Sequence, residues 1–273
     1  MANVVTAYAE LSGRGERHTI EDTSVIVPNF RGNPAEFVAA VYDGHHGRSA
    51  ADIAAEVLHG ELEQALAQSA SPGAAMTQAF LATDRIIADR EKESAKSYSG
   101  ADFGGAVAVV AYIHEFTLVV GNAGDAHAVL DRSGRAERLT YAHRASDPPE
   151  ARRIRHAGGK ITRRQDDLAR VKGQLAVTRA LGDTRLKELI IAEPSVREVA
   201  LQPGDERLIL GCDGLWDYVD DQDAVDLLRQ RRITDATEAS KTLMKEALWR
   251  GSKDDITVIV VSLDLSHSRG PEG

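Results

Sequence analysis

Apolar residues recur along this chain at two spacings, and the switch between them marks its elements. Residues 3–12 and 22–30 read as strands, and "EFVAAVYD", residues 36–43, is a third whose end coincides with an Asp-Gly pair. From Ser49 the spacing changes. Ile53, Val57, Leu58, Leu62 and Leu66 recur at the period of an amphipathic helix, and a second helix is predicted over about 72–93 with Met76, Phe80, Ile86 and Ile87 inward. "GGAVAVVAYI", "FTLVVGNAGDAHAVLD" and "AERLTY" then read as three strands, and their short connections predict an antiparallel meander. A short helix over 149–157 is stopped by Gly158-Gly159, and "ERLILGCDG" is a further buried strand. Two helices, "DDQDAVDLLRQRR" and "DATEASKTLMKEALWRG", precede a last strand, "DDITVIVVSLDL".

Strands, two helices, strands, two helices and a strand make an α+β order, without the regular alternation of a parallel α/β sheet. No repeat or low-complexity linker divides it, so one domain over 1–265 is expected, with 266–273 as a disordered tail. With 273 residues, 42% of them hydrophobic, the chain can bury a substantial core. Its formal net charge of −9 argues against a nucleic-acid partner bound by broad phosphate neutralisation. No segment approaches 18 uninterrupted apolar residues and no basic stretch precedes an apolar run at the amino terminus, so a monomeric cytoplasmic protein without membrane attachment is expected. The single cysteine, Cys212, excludes an intrachain disulfide and a multi-cysteine zinc site.

Acidic residues cluster at strand ends. Glu21-Asp22 opens one strand, Asp43 closes another, Asp213 closes "LILGCDG", and Asp254-Asp255 opens the last. Such positions lie at a sheet's rim, where carboxylates distant in sequence can converge. Like charges gathered that way repel unless cations sit among them, and oxygen donors select hard ions such as Mg²⁺ or Mn²⁺. For each Asp-Gly taken alone, a simple turn is the competing reading.

Seven blocks, "GERHTIED", "VYDGHHG", "VGNAGDAHAVL", "RIRHAGGKI", "RVKGQLAVTRALGD", "LILGCDGLWD" and "GSKDDITVIVV", stand in the order and spacing of one family. From Ala7 to Leu263 the chain resembles the metal-dependent type 2C protein serine/threonine phosphatases. The resemblance implies a four-layer α-β-β-α sandwich of two face-to-face antiparallel sheets flanked by helices, with two Mn²⁺ or Mg²⁺ ions at one end. It implies Asp43 as the bridging ligand, Gly44 as a backbone-carbonyl ligand, Asp213 and Asp254 as direct ligands, and Glu21 and Asp22 as acids acting partly through water. Asp125 matches a third, weaker ion site. Arg17 matches the arginine that binds the substrate phosphate, and His45 the general acid for the leaving seryl or threonyl oxygen.

The implied reaction is hydrolysis of phosphoserine and phosphothreonine proteins by a metal-bridging hydroxide, without a phosphoenzyme. His46 stands where the family usually has a small residue, and a solvent-facing turn position is expected for it. Asp255 stands where Asn is common. Cys212 lacks an arginine six residues on, position 218 being Tyr, so a cysteine-phosphatase loop is excluded. The basic run from Arg144 to Lys172, including Arg163 and Arg164, is a candidate for capturing phosphoprotein substrates, with a solvated surface as the alternative. Two other functions compete: an inactive phosphatase-like scaffold, and a two-metal phosphoesterase of small phosphates.

Overall fold

The computed structural model describes residues 5–13, 20–69, 71–97, 103–163 and 168–265. In chain order the elements are β1 (Val5–Gly13), β2 (Thr23–Pro28), β3 (Glu36–His45), α1 (Ser49–Gln68), α2 (Pro72–Ser97), β4 (Gly105–His114), β5 (Thr117–Ala123), β6 (His127–Arg132) and β7 (Arg135–Arg138). There follow α3 (Pro148–His156), β8 (Ile161–Thr162), β9 (Arg170–Val171), β10 (Leu181–Gly182), β11 (Ser195–Ala200), β12 (Asp205–Gly211), α4 (Asp213–Trp216), α5 (Asp221–Gln230), α6 (Ala236–Trp249) and β13 (Ile256–Leu263).

Two antiparallel sheets form the centre. One has the order β1-β13-β12-β6-β7, the other β11-β5-β4-β3-β2 with β10 added to β4. The long apolar runs follow from burial of both sheet faces. On β3, Phe37, Ala39 and Val41 point into the space between the sheets, where they meet Ile259 and Val261 of β13. The alternate residues Val38, Ala40 and Tyr42 pack against α1 and α2 through Leu58, Leu62, Met76 and Phe80. Val258 and Val260 of β13 face outward onto α4, α5 and α6 through Leu215, Leu228 and Leu243. Three apolar interfaces therefore separate four layers, α-β-β-α, as the resemblance implies.

The expected three-strand meander is corrected. "FTLVVGNAGDAHAVLD" is not one strand: β5 belongs to the second sheet and β6 to the first, and the chain crosses between them at Gly124-Asp125. Gly124 adopts φ +108, and a Cβ there would collide with the Val107 side chain, so only glycine lets the chain leave the sheet at this point. Because β5 departs early, the first residues of β4 have a vacant edge. β10 fills it, pairing Leu181 with Ala106 and Gly182 with Gly105. The helix expected over 149–157 is α3, one residue earlier. Asp147 caps it by accepting from the Glu150 N–H, and prolines occupy its first turn. The tail 266–273 lies outside the described residues.

Candidate metal centre

Four chain segments bring acidic side chains to one end of the sandwich. Asp43 and Gly44 sit near the end of β3, Asp213 opens α4 directly after β12, Asp254 and Asp255 precede β13, and Glu21 and Asp22 precede β2. Glu21, Asp43, Gly44, Asp213 and Asp254 line a cleft of about 430 Å³ that also receives Asp125, Asp217, Arg144 and Arg170, whereas Asp22 and Asp255 are buried.

Neither Asp-Gly pair is a simple turn. Gly44 lies within β3, and a Cβ on it would collide with the backbone carbonyl of Glu21. A Cβ on Gly214 would collide with the carbonyl of Asp255, which α4 meets edge-on. Neither glycine has positive φ. Glycine follows each aspartate because two backbones touch there, and that contact draws the carboxylates together.

Hydrogen bonds fix the acidic segments to one another. Asp255, 4% exposed, accepts from the Glu21 N–H at 2.8 Å, while the Asp255 N–H donates to Asp254 Oδ1 at 2.9 Å. Glu21 Oε1 accepts from the Gly47 N–H at 2.9 Å. Asp255, which by sequence is only an added charge, is the residue that holds Glu21 in place, and Asp254 is the exposed one of the pair.

The electrostatics is that of acids held too close together. Burial pushes the Asp43 carboxyl well above the ordinary carboxylate range, and Asp213, Asp22, Asp125 and Asp254 push it further. Asp213 is raised well above its usual value by burial, then by Asp125 and Asp254. Asp22 is raised to about 6 by burial, against hydrogen bonds from Thr257 and Cys212, with Asp255 and Asp254 adding to the rise. Asp22 Oδ2 is buried without a hydrogen-bond partner. Among the described residues, no ion pair reaches Asp43 or Asp213.

Asp125 differs. It is 6% exposed and forms an ion pair with Arg144, whose Nε donates to Asp125 Oδ2 at 2.8 Å and whose Nη2 donates to Asp217 Oδ1 at 2.6 Å. The position matched to a third ion thus faces a guanidinium. His45, at the end of β3, pairs with Gly105 of β4, and its Nε2 lies 2.9 Å from Asp183 Oδ2. The two side chains meet over Gly105, where any Cβ would strike both. His46 is exposed and adopts φ +58. Arg17 and Arg164 lie outside the described residues.

A family model described as Protein phosphatase 2C matches residues 6–256. The chain belongs to the protein phosphatase 2C family. Protein phosphatase 2C homolog 1 of Schizosaccharomyces pombe is 40% identical to it over 269 residues, covering 96% of this chain and 74% of that protein. Protein phosphatase 2C homolog 1 of Saccharomyces cerevisiae is 36% identical over 263 residues, covering 90% and 89%. A protein kinase and PP2C-like domain-containing protein of Arabidopsis thaliana is 38% identical over 253 residues, and the chain spans only 38% of its length. Among solved structures, a C. elegans sex determining protein superimposes with a TM-score of 0.85 at 26% identity, over 96% of this chain and 65% of that one. The serine-threonine phosphatase 2C of Toxoplasma gondii matches in fold with a TM-score of 0.80 at 22% identity, over 96% and 97%.

Protein phosphatases 2C are metal-dependent, and the residues of this phosphatase 2C chain fit a hard divalent cation. Asp22, Asp43 and Cys212 place potential ligand atoms within 4.8 Å of one another. The thiol is the odd member. Burial pushes it far above its usual value, its Sγ donates to the Asp255 carbonyl at 3.3 Å, and it accepts from the Thr257 N–H at 3.2 Å. It stays protonated as a hydrogen-bond donor beside Asp22, and the donor set left to a cation is all oxygen. The buried, unpartnered Asp22 Oδ2 and the mutually repelling carboxylates are what a cation would satisfy.

Three residues of the phosphatase 2C centre escaped the sequence reading. Asp217 is four residues after Asp213, and Arg144 opens the basic run, yet nothing in their spacing announces that they bind each other. Asp183 ends the block "LAVTRALGD" and lies 138 positions from the His45 it holds.

Proposed function

We propose that this chain hydrolyses phosphoserine and phosphothreonine monoesters in proteins, using two Mn²⁺ or Mg²⁺ ions held by Asp43, the Gly44 carbonyl, Asp213 and Asp254, with Glu21 and Asp22 acting partly through water. The observation that carries the reading is the convergence of Asp43, Asp125, Asp213 and Asp254 in one cleft, with buried Asp22 close to Asp43 and the carboxyls of Asp22, Asp43, Asp125 and Asp213 driven upward. When bound, the ions supply water acidified for in-line attack and positive charge for the phosphoryl oxygens.

The chain's own groups do the rest. Asp255 and Gly47 hold the backbone and side chain of Glu21, so the acidic wall is preorganised. Asp183 holds His45 Nε2 and fixes the ring, which leaves Nδ1 to deliver the proton to the departing seryl or threonyl oxygen. Arg17, assigned from sequence, binds two phosphate oxygens with its planar donors. Arg144 is committed to Asp125 and Asp217, and a third, weaker ion at Asp125 would have to displace it.

The test is Mn²⁺-dependent, EDTA-sensitive phosphate release from a phosphothreonine peptide, with Asp213→Asn as control. Inactivity with both metals would point to the scaffold reading. Hydrolysis of small phosphates alone would point to a general phosphoesterase, and activity unchanged in Asp213→Asn would sink the ligand assignment.

A further inference from the structure

The basic side chain at the start of α1 has no part in the proposed chemistry, yet it reaches the segment that carries Glu21 and Asp22. Arg48 directly precedes Ser49, where α1 begins, and its guanidinium makes contacts in two directions. Along the helix, Nε donates to Asp52 Oδ1 at 2.8 Å. Away from it, Nη2 donates to the Thr23 hydroxyl at 2.7 Å and Nη1 to the Ile20 carbonyl at 3.3 Å. Ile20 and Thr23 are the residues on either side of the Glu21-Asp22 pair. One guanidinium therefore grips the acidic pair from both flanks.

We infer that Arg48 is a positioning residue of the metal centre, fixing the lead-in to β2 so that Glu21 and Asp22 are held toward the ions. The inference rests on the metal-dependent phosphatase reading and adds to it a side chain that sets metal affinity without being a ligand. Three observations support it.

The first is how little the helix itself gains from this arginine. The Arg48 and Asp52 side chains are 45% and 53% exposed, and an exposed ion pair at i,i+4 adds little to a helix. The contacts to Thr23 and Ile20 instead span 25 and 28 positions and join separate elements.

The second is a closed ring of hydrogen bonds. The Thr23 hydroxyl donates onward to Asp52 Oδ1 at 3.3 Å, the same oxygen that accepts from Arg48 Nε. Each of the three side chains thus bonds the other two. A planar fork held on one side by Asp52 presents its remaining N–H groups in a fixed direction, which the point charge of a lysine does not do.

The third is the base on which the clamp stands. Gly47 and Arg48 are adjacent, so one short loop supplies both the N–H that holds Glu21 Oε1 at 2.9 Å and the guanidinium that holds the flanks. His46 at φ +58 and Gly47 at φ +119 give that loop its shape, turning the chain from β3 into α1. α1 is in turn anchored in the core through Ala50, Ala51, Ala54 and Leu58. The acidic pair is braced against a packed helix, and outer partners of this kind orient ligands and set metal affinity.

Mn²⁺ binding to the whole chain, read as loss of the free-ion signal in electron paramagnetic resonance, tests the clamp without turnover. Arg48→Ala should weaken Mn²⁺ binding about 5- to 10-fold, while its melting temperature in EDTA stays within about 2 °C of the wild type. Arg48→Lys keeps the charge but not the fork, and should stay within about twofold of Arg48→Ala. Thr23→Val leaves the Arg48–Asp52 pair in place and should weaken binding about threefold. The double variant Arg48→Ala/Thr23→Val should bind no more weakly than Arg48→Ala alone, because both changes cut the same contact.

Unchanged affinity in Arg48→Ala, full recovery in Arg48→Lys, or additive losses in the double variant would overturn the clamp and leave the metal reading intact. A wild type that binds no Mn²⁺ overturns the metal reading instead. Hydrogen exchange of the Glu21 amide in EDTA then decides the clamp alone: exchange about 10-fold faster or more in both Arg48→Ala and Thr23→Val supports it, and equal rates overturn it.

Discussion

Replacing Asp22 by Asn tests the idea that the acidic end of the sandwich opposes folding until a cation binds. Asp22 is 3% exposed, and its carboxyl is raised from 3.8 to about 6, chiefly by burial. That rise corresponds to about 3 kcal/mol lost from the metal-free fold at neutral pH. The sign follows from which state ionises first. Below 3.8 the carboxyl is neutral in both states; as pH rises the unfolded chain ionises first, so stability falls between about 4 and 6 and stays low above.

Asparagine removes the charge and keeps an oxygen for the Thr257 hydrogen bond. Its NH₂ then takes the place of the unpartnered Oδ2 at a cost of about 1 kcal/mol. The variant should therefore be about 2 kcal/mol more stable than the wild type in EDTA at pH 7 and about equal to it at pH 4.5. With saturating Mn²⁺ the order should reverse, because the wild type gains more from the ion. Urea unfolding followed by circular dichroism reads all three conditions. A variant no more stable than the wild type in EDTA at pH 7, or a gain that persists at pH 4.5, would refute the reasoning.

Three further outcomes are expected. His45→Gln should slow phosphopeptide hydrolysis by about 100-fold, whereas His46→Gly, at an exposed position with φ +58, should leave the rate within about twofold and stabilise the fold by about 1 kcal/mol; steady-state kinetics with thermal melts would expose comparable losses from both. Asp183→Asn should lower kcat by about 10-fold with little change in KM, since its carboxylate orients His45 without reaching the phosphate; a loss confined to KM would contradict that role. His143, fully buried, is lowered to about 4 by burial with Arg179 adding, so the unfolded chain takes the proton first and stability is lost as pH falls from about 6.5 to 4. Relative to His143→Gln, the wild type should lose about 3 kcal/mol over that window in urea titrations, and parallel curves would rule the effect out.

Much of the fold was legible because burial on both faces leaves long apolar runs. β3, β4, β12 and β13 are such runs, and α1 and α2 carry the helical period that covers one sheet. The crossing between sheets was not legible. "VVGNAGDAHAVL" is apolar on either side of Gly124, and only the Val107 side chain packed against that glycine shows why the strand must end there. β10 and β11 also went unread: the first is two residues long, and the second has a largely polar, half-exposed pattern at a sheet edge.

The sequence by itself determined the acidic identities at the strand ends, the order of the seven blocks, and with them the family. Those are local properties, set by which side chain follows which apolar run. Tertiary structure decided the pairings. Asp255 holds Glu21 across 234 positions, Asp183 holds His45 across 138, and Arg144 occupies Asp125 and Asp217. Each depends on where two strand ends emerge from a twisted sandwich, a long-range outcome of packing three apolar interfaces at once, and no spacing along the chain encodes it.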